Sequence, residues 1–217
     1  MTSKLTAADS TQARIVEAAI QEFAAYGIAG ARIERIAKAA ATSKERVYAY
    51  FRSKEDLYMH VMDKEVALIL DATHLDARDL PSYAAQLFDY FERNPIHFRL
   101  LGWGRMEAGG VPELDSGTLE RIQRKLDQIT QAQAEGALDS RWAPADVLAL
   151  INQIAVTHHN QVEIAAMAPS KVKNQTLSRR DAVVEAVRRI FPAISETDST
   201  SPSPLPAGGT LTESPAR

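Results

Sequence analysis

The chain has no cysteine among its 217 residues, which excludes disulfides, thiolate metal sites and cysteine catalysis. It has no run of about 18 apolar residues, so we expect no transmembrane helix. The opening residues, MTSKLTAADS, lack the apolar core of a secretory signal. Glycine-rich phosphate loops, Gly-x-Ser-x-Gly and credible catalytic carboxylate pairs or triads are missing too. These absences predict a cytoplasmic protein that is not an enzyme.

Strand-like alternation of β-branched residues is equally scarce, whereas apolar residues recur at spacings of three and four, which indicates helices. We predict about nine helices and no strands. They cover about residues 11–26, 33–40, 43–51, 53–71, 81–93, 95–108, 114–136, 144–168 and 178–191. The first three are short and the later ones are long, so the predicted fold is all-α, with a small three-helix head on a larger helical body.

Charge and composition change along the chain. Residues 1–60 hold nine Lys and Arg against seven Asp and Glu, while the remainder holds 16 against 21. After residue 194 the sequence turns to Ser, Thr, Pro and Gly, which cannot bury enough apolar surface to offset the entropy of ordering. We therefore predict a head at 1–57 with a flexible arm at 1–10, a body at 58–194, and a disordered tail at 195–217.

The stretch TSKERVYAYFRSKEDL, residues 42–57, places aromatic and basic residues around two helix starts. The short connection between the second and third helices is the spacing of a helix-turn-helix, whose second helix enters the major groove of DNA. Lys and Arg can donate to guanine, tyrosine hydroxyls can bind phosphates, and a helix N-terminus attracts anions. The candidate DNA contacts are Ser43, Lys44, Arg46, Tyr48, Tyr50 and Lys54. Half-buried core tyrosines beside solvated cations would explain the same residues.

The head resembles that of the tetracycline-repressor (TetR) family. The residues that carry the resemblance are Gly27, Ile36-Ala37, Ala40-Ala41, Ser43, Tyr48, Phe51, Lys54 and Leu57, and with the helical body it extends over about residues 11–191. Four positions depart from the family pattern, and the first is Ala31, where a threonine is frequent. Arg32 stands where a threonine is frequent and becomes a candidate phosphate contact, Ala41 replaces the turn glycine, and Glu45 replaces a small residue. Glu45 could accept from cytosine, or form a capping box with Thr42.

The resemblance implies a homodimeric repressor that binds a palindromic operator in double-stranded DNA and is released by a small-molecule effector. It places the dimer contacts on the last two long helices, at Leu148, Ile151, Ala155, Val162, Ala166, Val183, Val187 and Ile190. An effector pocket would lie among the central helices. Its candidate lining residues are Tyr90, Phe91, Phe98, Trp103, Met106, Trp142, Asn152, Gln153, His158 and His159, which suit an apolar or aromatic ligand.

No cofactor is expected. His159 and Glu163 lie four residues apart, a spacing that two metal ligands could share, but a third ligand is not apparent, so no metal site is predicted. An alternative function keeps the fold and omits the ligand. The chain would then be a helical interaction protein, or a regulator or activator controlled by a partner protein, and its body would be packed without a cavity.

Overall fold

The computed structural model describes residues 7–107, 114–167 and 177–194, and over these ranges the regular structure is entirely helical. The predicted all-α fold is thereby confirmed. In chain order the helices are α1 (Ala7–Gly30), α2 (Ile33–Ala39), α3 (Lys44–Tyr50), α4 (Lys54–Ala72), α5 (Leu80–Arg93), α6 (Pro95–Glu107), α7 (Ser116–Ala134), α8 (Pro144–Ala155), α9 (Thr157–Asn160), α10 (Val162–Met167) and α11 (Arg179–Ile190).

The first helix is longer than predicted. It begins at Ala7, within the segment predicted as a flexible arm. Gly27, the predicted stop, has a φ of 64°, which a residue without Cβ adopts readily, and it kinks the helix instead of ending it. The head core forms where α1 to α4 meet. Its fully buried large side chains include Ile15, Phe23, Ile36 and Leu57.

The body has a second core, built mainly from α5, α7, α8 and α11. Apolar side chains at helical spacing on α5 face α8 and α11, and α7 closes the cluster. Leu80, Ile129, Ile151 and Val187 are among its most buried members.

Two helices belong to both cores. On α4, Leu57 and Val61 pack in the head, whereas Ile69 packs against the body cluster. On α6, Leu100 is fully buried in the head cluster, and the adjacent Leu101 contacts both clusters. A shift of either helix in the body must therefore disturb the packing of the head.

The predicted single helix at 144–168 is wrong, because the chain forms α8, α9 and α10 there. Val156 leaves helical geometry at φ −103° and ψ 10°, while its side chain stays buried in the body core. Thr157 donates its hydroxyl to the Gln153 carbonyl, a bond that competes with helix continuation. Gln161 breaks the chain a second time, at φ −121° and ψ 53°, and separates α9 from α10. The two breaks account for eleven helices in the described ranges where nine were predicted. None of the helices in the described ranges has the length and apolar character needed to cross a bilayer.

Candidate nucleic-acid interface and internal cavity

The turn between α2 and α3 has helix-turn-helix geometry. Ala41 takes a φ of 50°, the left-handed conformation that the family's glycine would adopt without strain. The N–H of Thr42 donates to the Ala37 carbonyl at 2.9 Å and closes the end of α2. Ser43 then caps α3, with its hydroxyl accepting from the N–H of Arg46 at 3.2 Å. Buried Val47 anchors α3 against the head core, so the opposite side of this helix faces outward.

The outward side of α3 carries the predicted base-reading residues, and their side chains already have partners. Lys44 forms an ion pair with Glu34 on α2. This shared hydrogen bond raises the pKa of Lys44 and lowers that of Glu34. Arg46 lies over the ring of Tyr50, 5.5 Å from its centroid, and its guanidinium is 3.4 Å from the hydroxyl. A nucleic acid that binds Lys44 would therefore have to break its ion pair with Glu34.

Beside α3 a shallow groove runs between the N-terminal ends of α2 and α4. It brings together Arg32, Tyr48 and Lys54, which the sequence placed among the phosphate contacts, and it adds Arg52. The Tyr48 side chain is 43% exposed, so a half-buried core role does not account for it. Lys54 donates to the Ala31 carbonyl at 3.4 Å, which holds it at this groove. Arg52 was missed because it matches no motif position, although it immediately precedes the cap of α4.

A buried carboxylate supports the groove from behind. Glu22 on α1 is 8% exposed and accepts from the backbone N–H of Arg32 at 2.9 Å. The same oxygen accepts from the Arg35 Nε at 2.7 Å, and the Arg35 guanidinium lies 4.4 Å from the centroid of the Tyr26 ring. Glu22 thereby fixes the backbone at the start of α2, where the Arg32 side chain is exposed.

Side-chain caps begin both α3 and α4, and the cap of α3 differs from the capping box considered for Thr42 and Glu45. Ser43, not Thr42, is the N-cap of α3. Bonds from its own backbone N–H and from the Ser43 hydroxyl lower the pKa of Glu45, which favours the structural role for this residue. Ser53 is the N-cap of α4, because its hydroxyl accepts from Asp56 N at 3.0 Å. The Asp56 carboxylate in turn accepts from the backbone N–H of Arg52 at 2.8 Å.

The body contains a partly open cavity of about 330 Å³ between α4, α5, α6, α7 and α8. Most of its wall is apolar. The lining residues are Met62, Val66, Ile69, Leu70, Tyr83, Leu87, Phe91, Phe98, Leu101, Gly104, Arg105, Leu114, Ile122, Lys125, Leu148, Asn152 and Val156. Its volume lies within the range of about 300–1,000 Å³ that small-molecule sites occupy.

Three predicted pocket residues, Phe91, Phe98 and Asn152, line this cavity. The ring of His159 stands behind two of them, 6.5 Å from that of Phe91 and 5.1 Å from that of Phe98. His159 also pairs with Glu92 at 3.5 Å, and it lies on α9 while Glu163 lies on α10, so the two do not share one continuous helix face.

The other predicted pocket residues lie away from the cavity wall. The Trp103 indole donates to the Ala24 carbonyl at 3.2 Å and so ties α6 to the head. Met106 is 69% exposed, and Trp142 packs on Phe191 near the surface. The remaining two, Gln153 and His158, are respectively exposed and partly buried on α8 and α9.

Tyr90, also predicted for the pocket, points toward a buried polar cluster instead. Its hydroxyl lies 2.8 Å from Nδ1 of His97, and the same nitrogen lies 3.0 Å from the carboxylate of Glu65. Glu65 is fully buried on α4, and this burial raises its pKa to about 7. Burial likewise raises the pKa of Tyr90, to about 12.

The predicted dimer residues separate into two groups. Five of them pack inside the subunit core, and Leu148 also lines the cavity. These five are Leu148, Ile151, Ala155, Val183 and Val187. The other three are exposed: Val162, at 61%, and Ala166 lie on α10, whereas Ile190, at 41%, lies on α11. Ile164 and Met167, which the sequence reading left out, are 65% and 82% exposed.

A three-helix head whose third helix faces outward, set on a helical body, is the architecture of a helix-turn-helix DNA-binding regulator. Two family models agree with this class. "Bacterial regulatory proteins, tetR family" matches residues 15–61, and "Tetracyclin repressor-like, C-terminal domain" matches residues 79–189. The chain belongs to the TetR family and is a DNA-binding transcriptional regulator.

Several relatives are similar over most of their length. The HTH-type transcriptional repressor SCO4008 of Streptomyces coelicolor is 33% identical over 84% of this chain and 95% of its own. The crystal structure of SCO4942, also from Streptomyces coelicolor, matches with a TM-score of 0.75 and 52% identity, over 85% of this chain and 99% of that one. AibR, solved with isovaleryl coenzyme A and operator DNA, shares the fold at a TM-score of 0.59 and 15% identity, over 85% of this chain and 100% of its own.

Proposed function

We propose that the chain is a homodimeric repressor, released from a palindromic operator when a small-molecule effector enters the body cavity. The observation that carries the proposal is the cavity itself, because its wall includes α4 and α6, the two helices that also complete the head core. A body packed without a cavity would have favoured the ligand-free alternative.

The DNA contacts proposed are the outward residues of α3 together with the groove beside it. Ser43, Lys44 and Arg46 would enter the major groove, with Tyr50 bracing Arg46. The remaining contacts, Arg32, Tyr48, Arg52 and Lys54, would bind the phosphates along one strand. Each cation removed from a phosphate lowers the dependence of affinity on salt.

Dimerisation would use the exposed apolar side chains of α10 and the outer side of α11. Val162, Ile164 and Met167 are each more than 60% exposed on one short helix, which is costly for a monomer. A twofold axis through this surface would set two heads on half-sites roughly 34–36 Å apart or a multiple of that.

Release would follow from a population shift. Met62 and Ile69 of α4 touch the cavity, and one turn before Met62 on the same helix Tyr58 packs edge-on against Phe23 of the head at 5.0 Å. A ligand that moves α4 or α6 therefore changes how the head sits, and it favours the conformer whose heads no longer match both half-sites.

The decisive test is a mobility shift on DNA flanking the chain's own gene, across a salt series. Lys54→Ala and Arg52→Ala should each weaken the shift and lower the salt slope by about one. Lys64→Ala, an exposed lysine on the body part of α4, is the matched control and should bind like the wild type. Equal binding by all four proteins, or binding no tighter than to random DNA, would refute the interface.

The dimer is tested separately by analytical ultracentrifugation. Ile164→Lys places a charge in the exposed patch of α10 and should shift the protein toward monomer. Leu68→Lys, at a 41% exposed apolar position of α4, is the control. A dimer that survives Ile164→Lys unchanged would move the interface elsewhere.

A further inference from the structure

We infer that the effector is an amphipathic organic acid, whose carboxylate binds Lys125 while its apolar body fills the cavity. The inference rests on the proposed function, since it names the ligand of the same cavity. It arises from the charge of the wall. Among the residues that the structure describes, the charged ones that line the cavity are Lys125 and Arg105, and both are cations.

Lys125 is the unusual member of this wall. It is 8% exposed, and its ammonium donates to the Thr73 carbonyl at 2.8 Å, the Thr73 hydroxyl at 3.2 Å and the Tyr83 hydroxyl at 3.2 Å. It also lies 4.5 Å from the centroid of the Tyr83 ring. All of these partners are neutral, so they satisfy the three donors of the ammonium without balancing its charge. A carboxylate would therefore take the place of one of them, such as the Tyr83 hydroxyl at 3.2 Å.

No carboxylate in the described part of the chain pairs with Lys125. Asp71, on the neighbouring surface, binds Arg121 at 2.9 Å instead. Burial without a counter-charge lowers the pKa of Lys125 to about 8, so the side chain is still mainly cationic at neutral pH. Buried cations are costly unless they are paired, and a bound anion would remove that cost.

The polar groups around Lys125 suit a carboxylate. Asn152 lines the same cavity, and its amide can donate to a second carboxylate oxygen. The Tyr83 hydroxyl donates to the Asn152 side-chain oxygen at 3.4 Å, which is a long hydrogen bond. A ligand oxygen can replace the Asn152 oxygen as the acceptor. Beyond these groups the wall turns to Phe91, Phe98 and Leu101, which would hold an apolar chain or ring.

The test uses N-phenyl-1-naphthylamine, a neutral apolar fluorophore, as the reporter of cavity occupancy. Decanoate and decanamide, which differ in charge and little else, compete with it at pH 7. Wild-type protein should release the fluorophore at a decanoate concentration about tenfold or more below that of decanamide, as a charge-assisted hydrogen bond predicts. Lys125→Met should bind both equally, and Lys125→Gln gives a second neutral variant should the first fold poorly.

Lys64→Met is the matched control, since it removes an exposed lysine and should keep the decanoate preference. Equal displacement by acid and amide in the wild type, or a preference that survives at Lys125→Met and Lys125→Gln, would overturn the inference alone. Failure of the fluorophore and of both competitors to bind would overturn it together with the effector part of the proposed function. A mobility shift on the same preparation separates that outcome from a failure of DNA binding.

Discussion

The buried ammonium of Lys125 should make the stability of the protein depend on pH in a way that one substitution removes. Burial lowers the pKa of this group from 10.5 to about 8 in the folded protein, whereas in the unfolded chain it returns to its ordinary value. Between these two values the unfolded chain binds more protons than the folded one. Raising the pH through this window therefore stabilises the fold relative to a protein without the lysine.

The size of the effect follows from the two pKa values. Full deprotonation across the window corresponds to about 3 kcal/mol of unfolding free energy, and the part between pH 8 and pH 10 to about 2 kcal/mol. The adjacent Tyr83 hydroxyl stays neutral there, because burial raises its pKa to about 12. The wild type should thus gain about 2 kcal/mol over Lys125→Met on going from pH 8 to pH 10.

Urea unfolding at fixed protein concentration measures this difference, with the fluorescence of the two tryptophans as the signal. Other groups that titrate between pH 8 and pH 10 are common to both proteins and cancel in the comparison. Lys64→Met, which removes an exposed lysine, should follow the wild type at every pH. Parallel pH profiles for wild type and Lys125→Met would show that Lys125 keeps an ordinary pKa, and the reasoning from its burial would be wrong.

Two further predictions concern the head. Glu22→Gln should lower the unfolding free energy by about 1–2 kcal/mol in urea, because it weakens the charge-assisted bonds to Arg35. It should also weaken operator binding in a mobility shift, because it displaces the start of α2. Unchanged operator binding would show that Glu22 does not support the DNA interface. Ala41→Gly should raise the unfolding free energy by up to about 1 kcal/mol, since glycine takes a φ of 50° without strain. A lower unfolding free energy in urea would contradict the inference that Ala41 is strained.

Local signals predicted most of the architecture, because helix ends depend on residues that are close in sequence. Ser53 accepts from Asp56 N as its spacing indicates, and Pro144 opens α8 at its first position. Ser178 and Asp181 form a full capping box at the start of α11. Ser53 and Ser178 satisfy backbone donors within one turn, and Pro144 removes a donor, so no tertiary information is needed to locate these helix starts.

The buried face of α7 could not be predicted in the same way. Counting apolar residues favours a face with Leu119, Ile122, Leu126 and Ile129, yet Leu119 is 52% exposed. The buried residues are Thr118, Lys125, Ile129 and Ala132, a stripe at spacings of seven, four and three that includes a lysine. What makes this face the buried one is its contact with Thr73 and Tyr83, which lie 52 and 42 residues earlier in the chain.

The cavity and the head meet at one position where a single methyl group tests their coupling. A Cβ on Gly104 would lie 2.8 Å from Cε of Met62 and 3.2 Å from the Tyr58 hydroxyl, so both side chains must shift. Met62 lines the cavity and Tyr58 packs on Phe23 of α1, so Gly104→Ala should imitate a bound ligand and weaken operator binding severalfold.

The unfolding free energy of Gly104→Ala would not reveal this effect. Alanine stabilises a helix by up to about 1 kcal/mol relative to glycine, and this gain offsets the cost of displacing the flexible Met62 side chain. Gly102→Ala, in the same helix, gives the same gain with nothing within 4 Å of the new Cβ. Comparing the two variants by mobility shift therefore isolates the contact with α4. If Gly104→Ala and Gly102→Ala bound the operator equally, movement of α4 against α6 would not reach the head, and release by a ligand in this cavity would need another route.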